Sequence, residues 1–197
     1  MIKLLSDTWE KLYETFIDST FKDCDISDEK MEEYRMTSSF EPRDIARLRK
    51  AFLVATNGNE EMDKECFLNI PCIAVNPLKE RVACVFGFDQ RPTIDFIDFL
   101  ASTALFNCPG RKDLKLKTAY KLQDMDNDGT VSRSDLRDYI KVVTNGNLVD
   151  VEVNEIVSKV ISECSSDPNL QVVSFHDFQR VVAKSDFETK LHLKFYV

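Results

Sequence analysis

The sequence predicts an all-α protein built from four helix–loop–helix units in two paired lobes, with short β bridges between the paired loops. Apolar residues recur at helical spacing along most of the 197 residues. Glycine and proline are scarce, at 5 and 6 residues, which favours helices over a loop-rich β fold. A short apolar–acidic pattern also recurs four times along the chain, which indicates an internal repeat.

The repeat is clearest where each loop leads into a helix. The four copies are Met-Asp-Lys-Glu-Cys-Phe at 62–67, Ile-Asp-Phe-Ile-Asp-Phe at 94–99, Val-Ser-Arg-Ser-Asp-Leu at 131–136 and Val-Ser-Phe-His-Asp-Phe at 173–178. We expect the first residue of each copy to form the short strand that bridges two paired loops, since three of the four are β-branched. These residues are Met62, Ile94, Val131 and Val173.

Residues 124–135 match the calcium loop of an EF-hand, so the repeat predicts four EF-hand units. Such a loop takes oxygen ligands from positions 1, 3, 5, 7, 9 and 12 and turns sharply at position 6, where Gly129 stands. The predicted metal ligands are Asp124, Asp126, Asp128, Thr130 through its backbone carbonyl, Ser132 through a water, and Asp135. Four carboxylates in one loop repel one another unless a cation lies between them, which favours a metal site over an acidic surface turn.

Position 12 departs from the usual EF-hand, which has Glu there. Asp135 is one methylene shorter, so we expect it to bind through one oxygen or to draw the loop tighter. Ca²⁺ takes about six to eight loosely arranged oxygens, whereas Mg²⁺ requires a tight octahedron. The sequence therefore predicts a Ca²⁺ site at which Mg²⁺ competes.

The other three loops lack the usual ligand set, so we expect a single metal site. The residues at their ligand or turn positions are Ala55, Asn57, Asn59 and Cys66 in the first loop, Gly87, Arg91 and Pro92 in the second, and Ser166, Pro168 and Leu170 in the fourth. We expect these units to serve as packing partners, because one EF-hand cannot bury its apolar face alone.

The repeats divide the chain into four segments. Residues 1–32 are an N-terminal helix and an acidic connector, and residues 33–108 are an N-terminal lobe with two degenerate loops. Residues 109–184 are a C-terminal lobe with the working loop 124–135, and residues 185–197 are a tail. Apolar residues alternate strictly from residue 191 to residue 197, which predicts an extended segment.

Charge and composition exclude several functions. A net charge of −8 disfavours a nucleic-acid partner, whose phosphates would be repelled. No apolar run is long enough to cross a bilayer, and Ile2 stands where myristoylation requires Gly, so we expect no direct membrane anchor. The six cysteines follow no signal peptide and are expected to be reduced, which predicts a cytoplasmic protein. We expect any recruitment of this protein to the membrane or the cytoskeleton to occur through its partner.

An enzymatic function is also disfavoured. The two histidines are His176, in the degenerate fourth loop motif, and His192, in the tail. The sequence supports no catalytic Cys–His or Ser–His arrangement. The metal ligands all come from one loop, which leaves little room for a substrate, whereas a metal hydrolase keeps an open coordination position.

Four stretches of the chain resemble the calcium- and integrin-binding proteins, which are EF-hand relatives of calcineurin B. These stretches are residues 33–52, Asn76-Pro77-Leu78-Lys79-Glu80-Arg81-Val82, Asp128-Gly129-Thr130 and residues 178–187. An Asp at position 12 of the third EF-hand is a further feature of that family, and Asp135 matches it. The resemblance implies an adaptor that grips an amphipathic helix of a protein partner, from the cytoplasmic part of a membrane protein such as an integrin tail or a channel subunit.

Two other functions stay open. A regulatory B-type subunit of a calcineurin-like phosphatase shares the fold and the helix-gripping mode, but that family typically keeps four working loops. A constitutive structural subunit of a cytoskeletal assembly would use the metal only to hold the C-terminal lobe together. Affinity purification distinguishes these functions, because it recovers a membrane protein, a phosphatase catalytic chain or cytoskeletal proteins.

Overall fold

The computed structural model describes residues 26–107, 112–165 and 171–182. Within these ranges the chain is helical apart from two small antiparallel sheets, which confirms the predicted all-α EF-hand fold with short β bridges. No helix in the described ranges is both long enough and apolar enough to cross a membrane. The predicted N-terminal helix, the fourth-loop positions Ser166, Pro168 and Leu170, His192 and the C-terminal tail lie outside the described residues.

The contacts within the described chain divide it into two compact units. The first unit, residues 26–74 and 86–107, contains α1 (Asp28–Ser38), α2 (Pro42–Ala55), β1 (Glu61–Asp63), α3 (Lys64–Leu68), α4 (Pro71–Ala74), β2 (Thr93–Asp95) and α6 (Phe96–Asn107). The second unit, residues 75–85, 112–165 and 171–182, contains α5 (Lys79–Val85), α7 (Lys112–Gln123), β3 (Val131–Ser132), α8 (Arg133–Val143), α9 (Asp150–Cys164), β4 (Val172–Val173) and α10 (Phe175–Val182).

The helices of the first unit begin where the sequence supplies suitable caps. The Ser27 hydroxyl accepts a hydrogen bond from the N–H of Lys30 at the start of α1. Pro42 occupies the first turn of α2, where the N–H that proline lacks has no partner within the helix. The Asp63 carboxylate accepts the N–H of Cys66 at 2.7 Å and so ends β1 and begins α3.

Buried aromatic rings hold the first unit together. Ile45, Leu48 and Phe52 of α2 are fully buried, as their spacing predicts. The Phe52 ring lies 5.5 Å from the rings of both Phe96 and Phe99, in edge-to-face contact. Such pairs contribute about 0.5–1.5 kcal/mol each beyond the burial of their apolar area.

Each unit contains one antiparallel bridge between its loops. Met62 pairs with Ile94 in the first unit, and Val131 pairs with Val173 in the second. All four side chains are buried. The pairing confirms the prediction for these positions and joins two loops across each bridge.

The core of the second unit forms around its bridge. Val131 and Val173 pack in one cluster with Tyr120 of α7 and with Val153 and Val157 of α9. The Tyr120 hydroxyl donates to the Val173 carbonyl at 2.7 Å, so this buried phenol is satisfied. The helix that enters the loop at residue 124 is thereby tied to the opposite strand of the bridge.

Candidate metal centre

The loop at residues 124–135 begins where α7 ends. The N–H of Asp124 still bonds to the Tyr120 carbonyl at 3.2 Å, which continues the helical pattern by one residue. The chain then turns through two residues with positive φ, Asn127 at 61° and Gly129 at 90°. Glycine has no Cβ to clash in this conformation, and asparagine is enriched in it, so the turn expected at Gly129 is present.

Three carboxylates meet inside this turn. One oxygen each from Asp124, Asp126 and Asp128 lies within 4.8 Å of the others. Ca²⁺–oxygen bonds of about 2.3–2.6 Å place oxygens on opposite sides of one ion about 5 Å apart. Asp124 is only 5% exposed, whereas the other two face solvent. The described residues contain no other such group of three, and this one fits a single divalent cation.

Repulsion between the carboxylates is visible in the pKa of Asp126. A hydrogen bond from the N–H of Asp128 lowers this pKa, but slight burial and the charges of Asp135, Asp128 and Asp124 raise it, and the net shift is upward. A cation between the carboxylates removes this repulsion and favours their charged forms. The loop therefore has the electrostatics of a metal site.

Backbone N–H groups hold the three acids in place. The Asp124 carboxylate accepts the N–H of Gly129 at 3.0 Å and that of Asp128 at 3.2 Å. The Asp128 carboxylate accepts the N–H of Thr130 at 2.7 Å and its hydroxyl at 2.8 Å. These bonds orient the acids in advance, which lowers the cost of ordering them around an ion.

Asp135 closes the loop at its far end and is not part of the three-carboxylate cluster. It is 2% exposed, and one of its oxygens accepts the N–H of Met125 at 3.0 Å and that of Asp126 at 3.3 Å. The other oxygen accepts the hydroxyl and the N–H of Ser132. The N–H of Asp135 donates in return to the Ser132 hydroxyl oxygen at 3.2 Å, so the two residues form the capping box of α8. Burial raises the pKa of Asp135, but the hydrogen bonds from Ser132, Met125 and Asp126 outweigh it and lower that pKa. Coordination of an ion by Asp135 or Ser132 stays a prediction.

One residue that sequence analysis missed reaches the loop from another helix of the second unit. Arg81 of α5 is 8% exposed, and its guanidinium donates to the carbonyls of Lys121, at 2.7 Å, and Asp124. A signal for this role was present in the sequence. Arg81 stands three residues after Leu78 and four before Val85, on the apolar face of the predicted helix, and a charged group buried there requires hydrogen-bond acceptors.

In the second loop an arginine contacts both ends of the ligand set. The Arg91 guanidinium donates to the carboxylate of Asp98, at position 12. The same guanidinium lies 3.2 Å from the point that a Cβ on Gly87, at position 1, would occupy. The hydrogen bond and charge of Asp98 raise the pKa of Arg91, so the arginine stays cationic. This internal cation is the physical reason to expect no metal ion there.

The first loop closes through neutral groups. The Thr56 hydroxyl donates to the Asn59 carbonyl at 2.7 Å, and the Asn59 side-chain amide donates to the Thr56 carbonyl at 2.8 Å. Asn57 and Gly58 supply the turn, with φ of 53° and 87°. These hydrogen bonds join neutral groups, and the Arg49 guanidinium pairs with the carboxylate of Glu60 in the same loop.

Comparison with known proteins identifies the family. No protein-family model matches the chain. The chain is 34% identical to calcineurin B of Naegleria gruberi over 167 residues, which cover 84% of this chain and 94% of that protein. It is 34% identical to calcineurin B of Schizosaccharomyces pombe over 157 residues, or 79% and 90% of the two chains. The chain belongs to the calcineurin B family.

Membership of the calcineurin B family refines two predictions. The expected relationship to calcineurin-B-like EF-hand proteins is confirmed, whereas the narrower assignment to the calcium- and integrin-binding proteins is not. The relatives are named as subunits of calcineurin, which supports the prediction that this chain is not an enzyme. The EF-hand fold and the cluster at residues 124–128 agree with a metal-binding protein of this family.

Loss of one acid from the cluster should abolish metal binding. Asp124→Asn keeps the shape of the buried side chain but removes its charge, and we expect the affinity for Ca²⁺ to fall about a hundredfold or more, or about 3 kcal/mol. Isothermal titration calorimetry measures this change. Asp98→Asn is the matched control, because Arg91 already neutralises that acid, and it should leave the affinity unchanged. An unchanged Ca²⁺ affinity in Asp124→Asn would contradict the assignment.

Proposed function

We propose that this chain is a metal-binding regulatory subunit that grips an amphipathic helix of a phosphatase catalytic chain. The observation that supports this proposal most is the relationship to calcineurin B across 84% of the chain. Sequence analysis favoured a membrane-protein segment as the partner and kept the phosphatase regulator as an alternative. The relatives favour the alternative, because their similarity extends over nearly the whole length of both chains.

An apolar cavity in the second unit offers an anchoring point for such a helix. Its volume is about 120 Å³, and a cavity of roughly 150 Å³ holds a benzene ring. The cavity therefore suits one aliphatic or small aromatic side chain from the apolar face of a helix. Six of the residues that line it are Val131, Leu136, Val160, Val173, Phe178 and Val181.

The cavity wall is continuous in sequence with the metal loop. Gln123 lines the cavity and precedes Asp124, and Leu136 lines it and follows Asp135. Val131 lies in the loop itself and also lines the cavity. An ion that fixes the positions of the ligands therefore also fixes part of the wall, so we expect metal binding to favour the form that accepts a helix.

We further propose one Ca²⁺ site at which Mg²⁺ competes. A bidentate Glu at position 12 gives Ca²⁺ an oxygen that octahedral Mg²⁺ does not need. Asp135 is one methylene shorter than Glu, so we expect it to offer the ion one oxygen rather than two. The site is therefore left with fewer oxygens for Ca²⁺, and its preference over Mg²⁺ is small.

Asp135→Glu should raise the preference for Ca²⁺. The longer side chain reaches the ion with two oxygens, and we expect the ratio of Ca²⁺ to Mg²⁺ affinity to rise about tenfold. Competition titration measures the ratio. Asp98→Glu makes the same change at position 12 of the second loop and serves as the control. An unchanged ratio in Asp135→Glu would count against this geometric argument.

A cytoplasmic segment of a membrane protein is the second candidate partner. The Asp at position 12 and the poor ligand sets of the other loops favour it, because phosphatase B-type subunits typically keep four working loops. An integrin tail or a channel subunit would insert the same kind of helix into the same cavity. We propose a cytoplasmic location for the chain with either partner, and recruitment to a cytoskeletal assembly is the third alternative.

A charge in the cavity should block partner binding. Val181→Asp places a carboxylate among apolar side chains, and we expect it to weaken binding of a partner helix at least about tenfold. Val151→Asp makes the same change on α9 at a residue that is 66% exposed, and should have no effect. Fluorescence anisotropy with labelled peptides measures the affinities.

The choice of peptides distinguishes the candidate partners. We expect the regulator-binding helix of a calcineurin catalytic chain to bind more tightly than an integrin α-tail peptide or an unrelated calmodulin-target peptide. Tighter binding of the integrin peptide supports the second candidate. Equal affinity for all three peptides, or no binding at micromolar concentration, contradicts the helix-gripping proposal.

A further inference from the structure

We propose that Arg81 is a positioning residue for the metal loop and that it couples ion binding at residues 124–135 to the docking of helix α5. The inference rests on the metal site proposed above. Arg81 lies outside the twelve-residue loop, so the spacing of ligands within the loop cannot identify it.

The Arg81 guanidinium spans the entrance of the loop. The two N–H groups of its Nη2 are shared among three acceptors, which are the Lys121 carbonyl at 2.7 Å, the Asp124 carbonyl, and the side-chain oxygen of Asn127 at 3.1 Å. Its Nη1 lies within 3.4 Å of the Met125 carbonyl. These acceptors belong to the last turn of α7 and to the first four residues of the loop.

Arginine suits this position better than lysine. The carbonyls at the end of a helix lack partners within the helix and carry partial negative charge, which a cationic donor satisfies. Arg81 is buried, and its two terminal nitrogens reach different carbonyls, Nη2 those of Lys121 and Asp124 and Nη1 that of Met125, whereas a lysine ammonium has a single nitrogen on a flexible stem. The guanidinium therefore fixes several loop carbonyls at once.

Arg81 has two opposite effects on an ion in the loop. Its positive charge repels a divalent cation. Its hydrogen bonds hold the backbone of Asp124 while the Asp124 side chain points into the carboxylate cluster, and they hold Asn127 in its left-handed conformation. We infer that positioning outweighs repulsion, because the guanidinium bonds to backbone carbonyls of the loop, whereas three carboxylates, those of Asp124, Asp126 and Asp128, converge on the proposed ion site.

The coupling works in both directions. If docked α5 raises the affinity of the loop for Ca²⁺, then bound Ca²⁺ stabilises the docked α5 by the same factor. Helix α5 ends at Val85, two residues before Gly87 opens the second loop of the sequence. Arg81 thus lies on the helix that precedes the second loop, which lacks a ligand set, and it contacts the predicted metal loop at residues 124–135.

Two substitutions separate positioning from charge. Arg81→Lys keeps the charge and loses the fork, and Arg81→Met loses both. We expect each to weaken Ca²⁺ binding about tenfold in calorimetry, within the usual range for coupled sites. Lys79→Met removes a charge from the same helix and should leave the affinity unchanged. If Arg81 acts only through its charge, Arg81→Met binds Ca²⁺ more tightly and Arg81→Lys is unchanged, and either result overturns the inference.

A double-mutant cycle tests the contact itself. Asn127→Gly removes one acceptor, and glycine tolerates the positive φ at this position. We expect Asn127→Gly to weaken Ca²⁺ binding less than Arg81→Lys, and the double variant to bind no more weakly than Arg81→Lys alone. If the losses of Ca²⁺ affinity are additive, the contact between Arg81 and Asn127 does not contribute directly, and Arg81 acts only through a general structural effect.

Amide hydrogen exchange of residues 79–85 in the full chain supplies a readout independent of affinity. Ca²⁺ should slow exchange in the wild type and in Lys79→Met, but not in Arg81→Lys. Slowing in Arg81→Lys equal to that in the wild type would overturn the coupling. A wild type that binds no Ca²⁺ would instead refute the proposed metal site, so the two failures are distinguishable.

Discussion

The mutual repulsion of Asp124, Asp126 and Asp128 is the constraint on which the proposed metal response of the second unit depends. Their oxygens lie within 4.8 Å of one another, and burial together with the charges of Asp135, Asp128 and Asp124 raises the pKa of Asp126. A divalent cation converts this repulsion into attraction between each carboxylate and one shared charge. Since Val131 lies in this loop, Leu136 follows it, and both line the cavity, we expect an ion that orders the loop to order part of the surface on which a partner helix would lie.

The two loops of the first unit are held closed by contacts that need no metal ion. Arg91 brings a cation to Asp98, and the small Gly87 leaves room for its guanidinium. Thr56 and Asn59 close the first loop with neutral hydrogen bonds, and buried phenylalanines such as Phe52 hold the core. We therefore expect the fold of the first unit to be independent of metal, whereas the second unit carries the metal response.

The fold and the three-carboxylate cluster could be predicted because both depend on short-range spacing. Apolar periodicity identified the α2 face at Ile45, Leu48 and Phe52, and the repeat identified the bridge partners Met62 and Ile94. The alternation of Asp124, Asp126 and Asp128 lies within five residues, so the turn at Gly129 brings them together whatever the rest of the chain does.

Features that depend on distant contacts or on side-chain conformation could not be predicted in the same way. Arg81 meets Asp124 across 43 positions of sequence, and no local pattern specifies that contact. The sequence places Asp135 at position 12 of the loop, but the hydrogen bonds that it accepts from Met125 and Ser132 depend on how the loop folds. The preferred partner class rested on short motifs, whereas similarity over most of the chain points to calcineurin B.

We propose that one loop, at residues 124–135, binds the metal ion and that the other three loops bind none. Native mass spectrometry of the full chain, with Ca²⁺ added stepwise, counts the bound ions directly. We expect a single bound Ca²⁺, which excess Mg²⁺ displaces. Two or more Ca²⁺ ions bound with similar affinity would contradict this account.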